Sequence, residues 1–399
     1  MDVTPEIAKF LTSPRGQDAL DGARAARTVD PLVRNAAITG AFAPEEIRAA
    51  LFQDDLRVKA KAKTTRADSL LFTADALEQG TPETVAAERA ERFAEFRVVA
   101  DLGAGIGLDT VALATAGRRV VAVERDPVRA AFLRHNVAAA GFGDRVEVIE
   151  GDFIASPPAA DAAFVDPDRR PGGRRFRDPE MFEPPPAAWA ALAKRYGHVL
   201  VKMAPGTKPD TFPEDHVEWA SLHGEMKEAR IGFGRLAIDA KRRALVLPSR
   251  ASVSGAGRPW PPPWPPSAGD VLLDPDPAIV VSDLVGDAAL AENARPIHPR
   301  IAYLIGDHPV AWADSFLVKD VFGAAPKEIQ AFLDREDVGD LTIRSRGVSE
   351  PPEAWRKKLR VEGTKPATIV LTRGPDDRYL VCSVQSLSFG FSGLGSSVG

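Results

Sequence analysis

Cysteine is nearly absent: Cys382 is the single thiol in 399 residues. One thiol excludes a disulfide framework and any zinc site built from cysteines. Histidine is scarce as well, six residues with no His-x-x-x-His pair among them, so no metal is expected. No run reaches ~18 uninterrupted apolar residues, and the opening MDVTPEIAKF has no charged-then-apolar leader pattern. No membrane association is expected, and the cytoplasm is the expected location. Positive charge is not in excess: 51 lysines and arginines stand against 56 acidic residues, a net −5. Any surface for a polyanion must be a local patch on a mildly acidic body. What is present, 44% hydrophobic and 27% charged residues, is ordinary for a globular chain. The length suits about two or three domains.

Four regions follow from the patterning. Residues 1–95 carry apolar positions at three- and four-residue spacing in PEIAKFL, DPLVRNAAI, APEEIRAALFQDDLRVKA and PETVAAERAERFAEF, each opened by proline or an acidic residue, and predict an N-terminal helical region. Over 96–250 the pattern changes to short β-branched runs, RVVADLG, RRVVAVERD, RVEVIEGDF, DAAFVDPD and HVLVKMAPG, with helical stretches between several of them. That alternation predicts an α/β fold with a Rossmann-like parallel sheet. Residues 251–312 open with SGAGRPWPPPWPPSAG, a Pro-rich linker, and continue as a short β-rich segment. Residues 313–390 alternate strand and helix, including a predicted helix over PPEAWRKKLRVEG, and make a small α/β module; the final SFGFSGLGSSVG is expected to be a frayed tail.

The loop VVADLGAGIGLD places Gly103, Gly105 and Gly107 after a strand and before a helix. Glycines there let the backbone turn sharply and approach a ligand, with free amides at the helix start. A dinucleotide loop wants G-x-G-x-x-G. Here the spacing is G-x-G-x-G after Asp101, and a carboxylate beside the turn suits the ammonium and sulfonium of S-adenosylmethionine better than a pyrophosphate. The second strand ends at Glu124, where a carboxylate can accept from two ribose hydroxyls. The third ends at Asp152, able to take an adenine amino group, with Phe153 beside its ring. Any one of these acids could merely cap a helix; three at consecutive strand ends form a set. Ala104 and Arg125, adjacent in the same turns, complete the expected cofactor contacts.

The fourth strand ends in Asp166-Pro167-Asp168, the expected catalytic group. A carboxylate there can accept a hydrogen bond from a substrate amine as attack on a methyl group develops, and Pro167 restricts Asp166. Asp166 is preferred over Asp168, although Asp-Pro also ends strands simply as a turn. Arg169, Arg170, Arg174, Arg175 and Arg177 follow within nine residues. Such a run is either solvated surface or a contact for a polyanionic substrate, since guanidinium matches phosphate geometry. Lys202 on the next strand reads as another phosphate contact or an edge lysine.

Taken together, LLFTADALEQGTPETVAAERAERF, ADLGAGIGLD, AVERDP, FVDPDRR, VKMAPG and LTIRSRGVSEPPEAWRKKLRVEGTKPATIVLTR resemble a bacterial family of class I S-adenosylmethionine-dependent methyltransferases with a C-terminal THUMP-like domain. The resemblance spans most of the chain. It implies cofactor binding at Asp101, Gly103, Gly105, Gly107, Glu124 and Asp152, and methyl transfer at Asp166 and Pro167. THUMP domains accompany RNA-modifying enzymes, so it implies RNA as partner, with base methylation as the reaction. One departure stands out. Enzymes that methylate exocyclic base amines carry Asn/Asp-Pro-Pro-aromatic, and here Asp168 and Arg169 occupy the last two places; a guanidinium can also stack on a base. Methylation through a cysteine nucleophile is not expected, because Cys382 lies in the terminal module.

Local charge bears on the RNA expectation. Lys319, Arg344, Arg346, Arg356, Lys357, Lys358 and Arg360 make the last module richer in basic residues than the whole, and Arg346, Lys357 and Lys358 join Arg169 and Arg170 as candidate RNA contacts. An ordinary helix with a basic solvent face would look the same. Trp355 is expected in the core, while Trp260 and Trp264 could be exposed or could pin the linker. The competing readings are a methyltransferase for a small molecule or protein, a non-catalytic RNA-binding scaffold, and an NAD-dependent oxidoreductase. The last is disfavoured by the glycine spacing, and the scaffold by the intact set of strand-end acids.

Overall fold

The structure, a computed structural model, describes residues 2–28, 34, 38, 42–168, 178–212 and 216–387. Arg169, Arg170 and the other arginines of their run, most of the segment DPLVRNAAI, and the final tail lie outside the described residues. The chain divides into two compact units, one of residues 1–204 with 229–237 and the other of 205–228 with 238–399.

The first unit begins with helices α1 (Pro5–Leu11), α2 (Pro14–Ala25), α3 (Pro44–Ala60), α4 (Ala74–Gln79) and α5 (Glu83–Glu91). Thr4 caps α1 and Ser13 caps α2, each with proline at the first helical position, where no amide is needed. The sheet strands β1 (Val98–Leu102), β2 (Arg119–Glu124), β3 (Val146–Glu150), β4 (Ala162–Val165) and β5 (Val199–Met203) alternate with α6 (Leu108–Thr115), α7 (Pro127–Ala139) and α8 (Pro186–Tyr196). Strands β1 to β5 are parallel in the order β3-β2-β1-β4-β5. Residues 229–233 return antiparallel beside β5. Strand order reverses between β1 and β4, and the carboxyl ends flanking such a switch point form a ligand crevice.

The helical region is built onto the sheet layer. Leu11, Leu20, Ala50, Leu71 and Phe72 share one core with Ile106 of the glycine loop and Val128 and Phe132 of α7. Buried Gln53 exchanges two hydrogen bonds with the backbone of Phe72, at 2.6 and 3.0 Å.

The second unit contains β6 (Val217–Leu222), the beginning of β7 (Glu225–Phe233), β8 (Arg242–Leu247) and β9 (Ala251–Gly255), with β6 and β8 parallel and β8 and β9 antiparallel. A seven-stranded sheet follows, from β10 (Val271–Pro275), β11 (Arg295–His298), β12 (Ile301–Gly306), β13 (Ala313–Gly323), β14 (Val338–Ser345), β15 (Lys365–Arg373) and β16 (Tyr379–Leu387). Its order is β11-β12-β10-β13-β16-β15-β14, antiparallel except for the pair β14 and β15. The region after the linker therefore does more than bridge: β10 to β12 are strands of the same sheet as the terminal module. Helices α9 (Pro277–Val281) and α10 (Val285–Ala291) lie in a stretch whose pattern reads as β-rich. Asp276 caps α9 at Ala278 N. Helix α11 (Pro326–Glu336) covers the sheet with Ile329, Phe332 and Leu333.

This sheet curls strongly. Arg344 of edge strand β14 reaches Asp274 of β10, and the Arg346 guanidinium just beyond lies 5.4 Å from the Tyr303 ring centroid of β12. Twist accumulating over seven strands brings the two ends toward each other.

The predicted helix PPEAWRKKLRVEG is mostly not helical. Only α12 (Pro352–Arg356) forms. Lys358 N and Leu359 N bond three residues back, and Arg360 N donates to Gln330 Oε1 at 2.9 Å, so the backbone leaves the helix. Trp355 is buried, as expected. Among the described residues no helix is long and apolar enough to cross a membrane.

Candidate active site

The crevice at the switch point is a cleft of about 760 Å³, within the roughly 300–1,000 Å³ usual for cofactor sites. Gly103, Ala104, Gly105, Glu124, Arg125, Asp152, Phe153, Asp166, Pro167 and Asp168 all line it. Residues spread over 65 positions, Gly103 to Asp168, are thus brought to one surface at the ends of four parallel strands, β1 to β4. The helical region supplies a further wall through Ala76, Gln79 and Gly80.

The three glycines do different work. All have left-handed φ, +85° at Gly103, +57° at Gly105 and +89° at Gly107. A Cβ on Gly103 would stand 2.8 Å from the Asp166 carbonyl oxygen, and one on Gly107 2.4 Å from Leu133 Cδ1. Those two glycines let β1 approach β4 and α6 approach α7. A Cβ on Gly105 would meet nothing within 4 Å, so its space is the open cleft itself. Gly103 N and Ala104 N donate to Val123 O, each at 3.0 Å.

Glu124 is 5% exposed and holds the loop closed. Its Oε2 accepts from Gly105 N at 2.8 Å and its Oε1 from Asp126 N at 2.9 Å. Each carboxylate oxygen retains a lone pair for a ligand hydroxyl. Asp152 Oδ1 accepts from Ile154 N at 2.8 Å, leaving Oδ2 at the surface of the cleft.

Asp101 does not line the cleft. Its side chain is fully buried and turns to α6, where Thr110 Oγ1 donates to Oδ2 at 2.5 Å. Burial, reinforced by the negative charges of Asp109 and Asp166, pushes its pKa up to about 7. The unfolded carboxyl ionises near pH 4, while the folded one stays protonated to about pH 7. Stability is therefore greatest at low pH and declines between about pH 4 and 7. Asp101→Asn is expected to flatten that decline in urea titrations repeated across the window; an unchanged slope would contradict the protonated state.

Loop position is also set from the other side by Asn136 of α7, fully buried. Its Nδ2 donates to Ile106 O at 2.8 Å and Leu71 O at 2.9 Å, and its Oδ1 accepts from Leu71 N at 2.7 Å. Asn136→Leu strands three buried backbone groups and is expected to cost about 3 kcal/mol, read as a lower urea midpoint at unchanged m-value. Arg89 of α5 has a related role. It donates to Asp109 at the start of α6, and its guanidinium lies 4.3 Å from the Phe164 ring centroid on β4. Patterning could not reveal these partners, because a polar residue inside a helix reads as solvent-facing until its neighbours are known.

At the end of β4, Asp166 Oδ2 accepts from Lys202 Nζ at 2.8 Å. Lys202 is 7% exposed on β5, so it is a buried partner of the carboxylate, and neither the surface phosphate contact nor the edge lysine of the sequence expectation. The pair leaves Oδ1 of Asp166 to the cleft. Asp168 forms an isolated β-bridge with Glu183, their amides donating at 2.8 and 3.0 Å. Arg125 Nη2 lies 2.6 Å from Glu183 Oε2 and 4.0 Å from Asp168 Oδ2, so Arg125 clasps the segment that returns after the arginine run.

The remaining candidate contacts are in the second unit. Arg346 is engaged internally, its Nη2 2.8 Å from Asp274 Oδ1. Lys358 lies 2.6 Å from Glu350 and 4.7 Å from the Trp355 ring centroid. Lys357 is exposed. Burial pushes the Cys382 thiol up to about 12, so it is no nucleophile at neutral pH.

Parallel strands in the order β3-β2-β1-β4-β5, a glycine loop at the switch point and acids at the strand ends define a Rossmann-like class I methyltransferase. Comparison with known proteins agrees. An uncharacterized S-adenosylmethionine-dependent methyltransferase of Mycobacterium tuberculosis, found in strains CDC 1551 and H37Rv, is 34% identical over 317 residues, covering 76% of this chain and 84% of the relative. The chain belongs to the S-adenosylmethionine-dependent methyltransferase family, and its cofactor is S-adenosylmethionine. Residues 313–383 match the THUMP domain-like family. The crystal structure of a protein described as a methyltransferase from Porphyromonas gingivalis W83 has the same fold, with a TM-score of 0.77 at 19% identity over 93% of this chain and 99% of that one.

Proposed function

We propose that this enzyme methylates a base of RNA in the cytoplasm. The observation that carries the RNA reading is the THUMP domain-like module, residues 313–383, in one chain with a methyltransferase cleft. Glu124 and Asp152 are the residues to hold ribose and adenine of the cofactor, the former through lone pairs not used by Gly105 N and Asp126 N. Phe153 offers an apolar edge, and the open space at Gly105 admits the ligand close to backbone. S-adenosylmethionine supplies an electrophilic methyl group. Asp166 accepts a hydrogen bond from an acceptor N–H through Oδ1, while Lys202 holds Oδ2 and aims the carboxylate. Arg169 and Arg170, next in the chain, are the nearest candidates for phosphate contacts, with Lys357 exposed in the second unit.

An acceptor other than RNA is the alternative. The internal pairing of Arg346 and Lys358 favours it, since both cations are already matched by carboxylates. Tritium transfer from labelled S-adenosylmethionine to total RNA separates the two. Label entering RNA from a strain lacking the gene, and not RNA from its parent, is the expected result. No label, with cofactor binding demonstrated by calorimetry, would move the assignment to a protein or small molecule.

A further inference from the structure

The proline-rich segment after β9 holds an aromatic side chain in the open. Trp264 is 52% exposed. It is also fixed in place. Its backbone N–H donates to Pro296 O at 2.8 Å, and Pro263 and Pro265 on either side restrict the backbone. The Arg295 guanidinium, at the start of β11, lies 5.2 Å from the indole centroid, within cation–π range.

Several arginines of the second unit are matched by carboxylates. Arg344 pairs with Asp274 and Asp314, Arg346 with Asp274, Arg335 with Asp320 and Arg373 with Asp377. Arg295 is exposed and has no ion pair among the described residues. The proline-rich segment from Ser254 to Gly269 contains one charged residue, Arg258, which pairs with Asp287, and Arg295 to Arg300 contains two arginines, with Glu292 three positions before. Arg295 thus offers an exposed cation beside an exposed aromatic face.

We propose that Trp264 and Arg295 form a stacking platform for an unpaired RNA base, with the guanidinium serving the neighbouring phosphate. The inference rests on the RNA reading above and adds a contact outside the matched 313–383 module. A fixed ring loses little entropy on binding, every base offers a π-face to it, and an uncompensated cation beside it suits a polyanion. A proline-rich peptide would also accept an exposed indole, but the guanidinium beside it, without an ion pair, favours the nucleic acid.

The test uses the full chain and end-labelled total bacterial RNA hydrolysed to fragments of about 16 nucleotides, the upper end of single-strand site sizes. Wild-type protein should retain these fragments on a filter. Trp264→Ala should weaken retention about tenfold, as a lost base stack does, and Trp264→Phe should keep most of it. Arg295→Ala should weaken it about threefold and flatten the salt dependence. Thermal midpoints of the Trp264 variants should match wild type, because the ring is exposed. Undiminished retention by Trp264→Ala, with tritium still transferred to RNA, overturns the platform and leaves the RNA reading intact. A wild-type chain that neither retains nor methylates RNA overturns both and turns the exposed ring over to a protein partner.

Discussion

Gly105→Val should yield a folded protein that no longer binds S-adenosylmethionine. At φ +57° a branched residue is strained, by about 1–2 kcal/mol, which a chain of this size tolerates. The new side chain collides with nothing inside the protein, since a Cβ there has no heavy atom within 4 Å. It fills space on the cleft side of the loop, at the cofactor position proposed above. A loss of at least about 100-fold in affinity, near 2.7 kcal/mol, is expected in isothermal calorimetry, with a melting curve as the control. Gly107→Val behaves differently: its Cβ would stand 2.4 Å from buried Leu133 Cδ1, so its cost falls on packing between α6 and α7 rather than on the cleft. Full-affinity binding by Gly105→Val would mean that the cofactor lies elsewhere.

Asp166→Asn is expected to keep cofactor affinity while transfer falls by about 10²–10⁴, the usual contribution of a positioned acid–base group. The substitution preserves shape but removes the charge that Lys202 neutralises and that accepts from the substrate N–H. Single-turnover transfer to the labelled RNA measures the effect, and calorimetry with S-adenosylmethionine checks that binding survives. A variant that turns over like wild type would place the chemistry at another group. Lys202→Met, which frees the carboxylate to rotate, should lose less, and Lys202→Arg should recover part of the loss. That graded series distinguishes a positioning lysine from one needed only for packing.

The strand-end acids and the glycine loop were legible because they obey local rules. A carboxylate at the end of a parallel strand, or glycine in a tight βα turn, is recognisable from its immediate neighbours. Side-chain direction is a different kind of fact. Asp101 sits at the end of β1 as expected, yet whether it faces ligand or core depends on Thr110, one turn into the following helix. The basic residues of the terminal module show the same limit. Arg346 and Asp274 are 72 positions apart, and only the curl of the sheet converts an apparent RNA contact into an internal ion pair.

Chain order alone therefore established the α/β alternation, the cofactor class and the surface on which the acids assemble. The start of α1 was equally plain, PEIAKFL opening on proline, and Thr4 caps it by a local hydrogen bond. Packing decided the rest: Lys202 against Asp166 across 36 residues, Asn136 against Leu71 across 65, and the early end of the RKKLR helix. A hydrogen bond or ion pair is specified by two groups at bonding distance, and a sequence specifies distance only over a few residues, where backbone geometry is regular. Beyond that span, which polar group meets which is a property of how the layers pack.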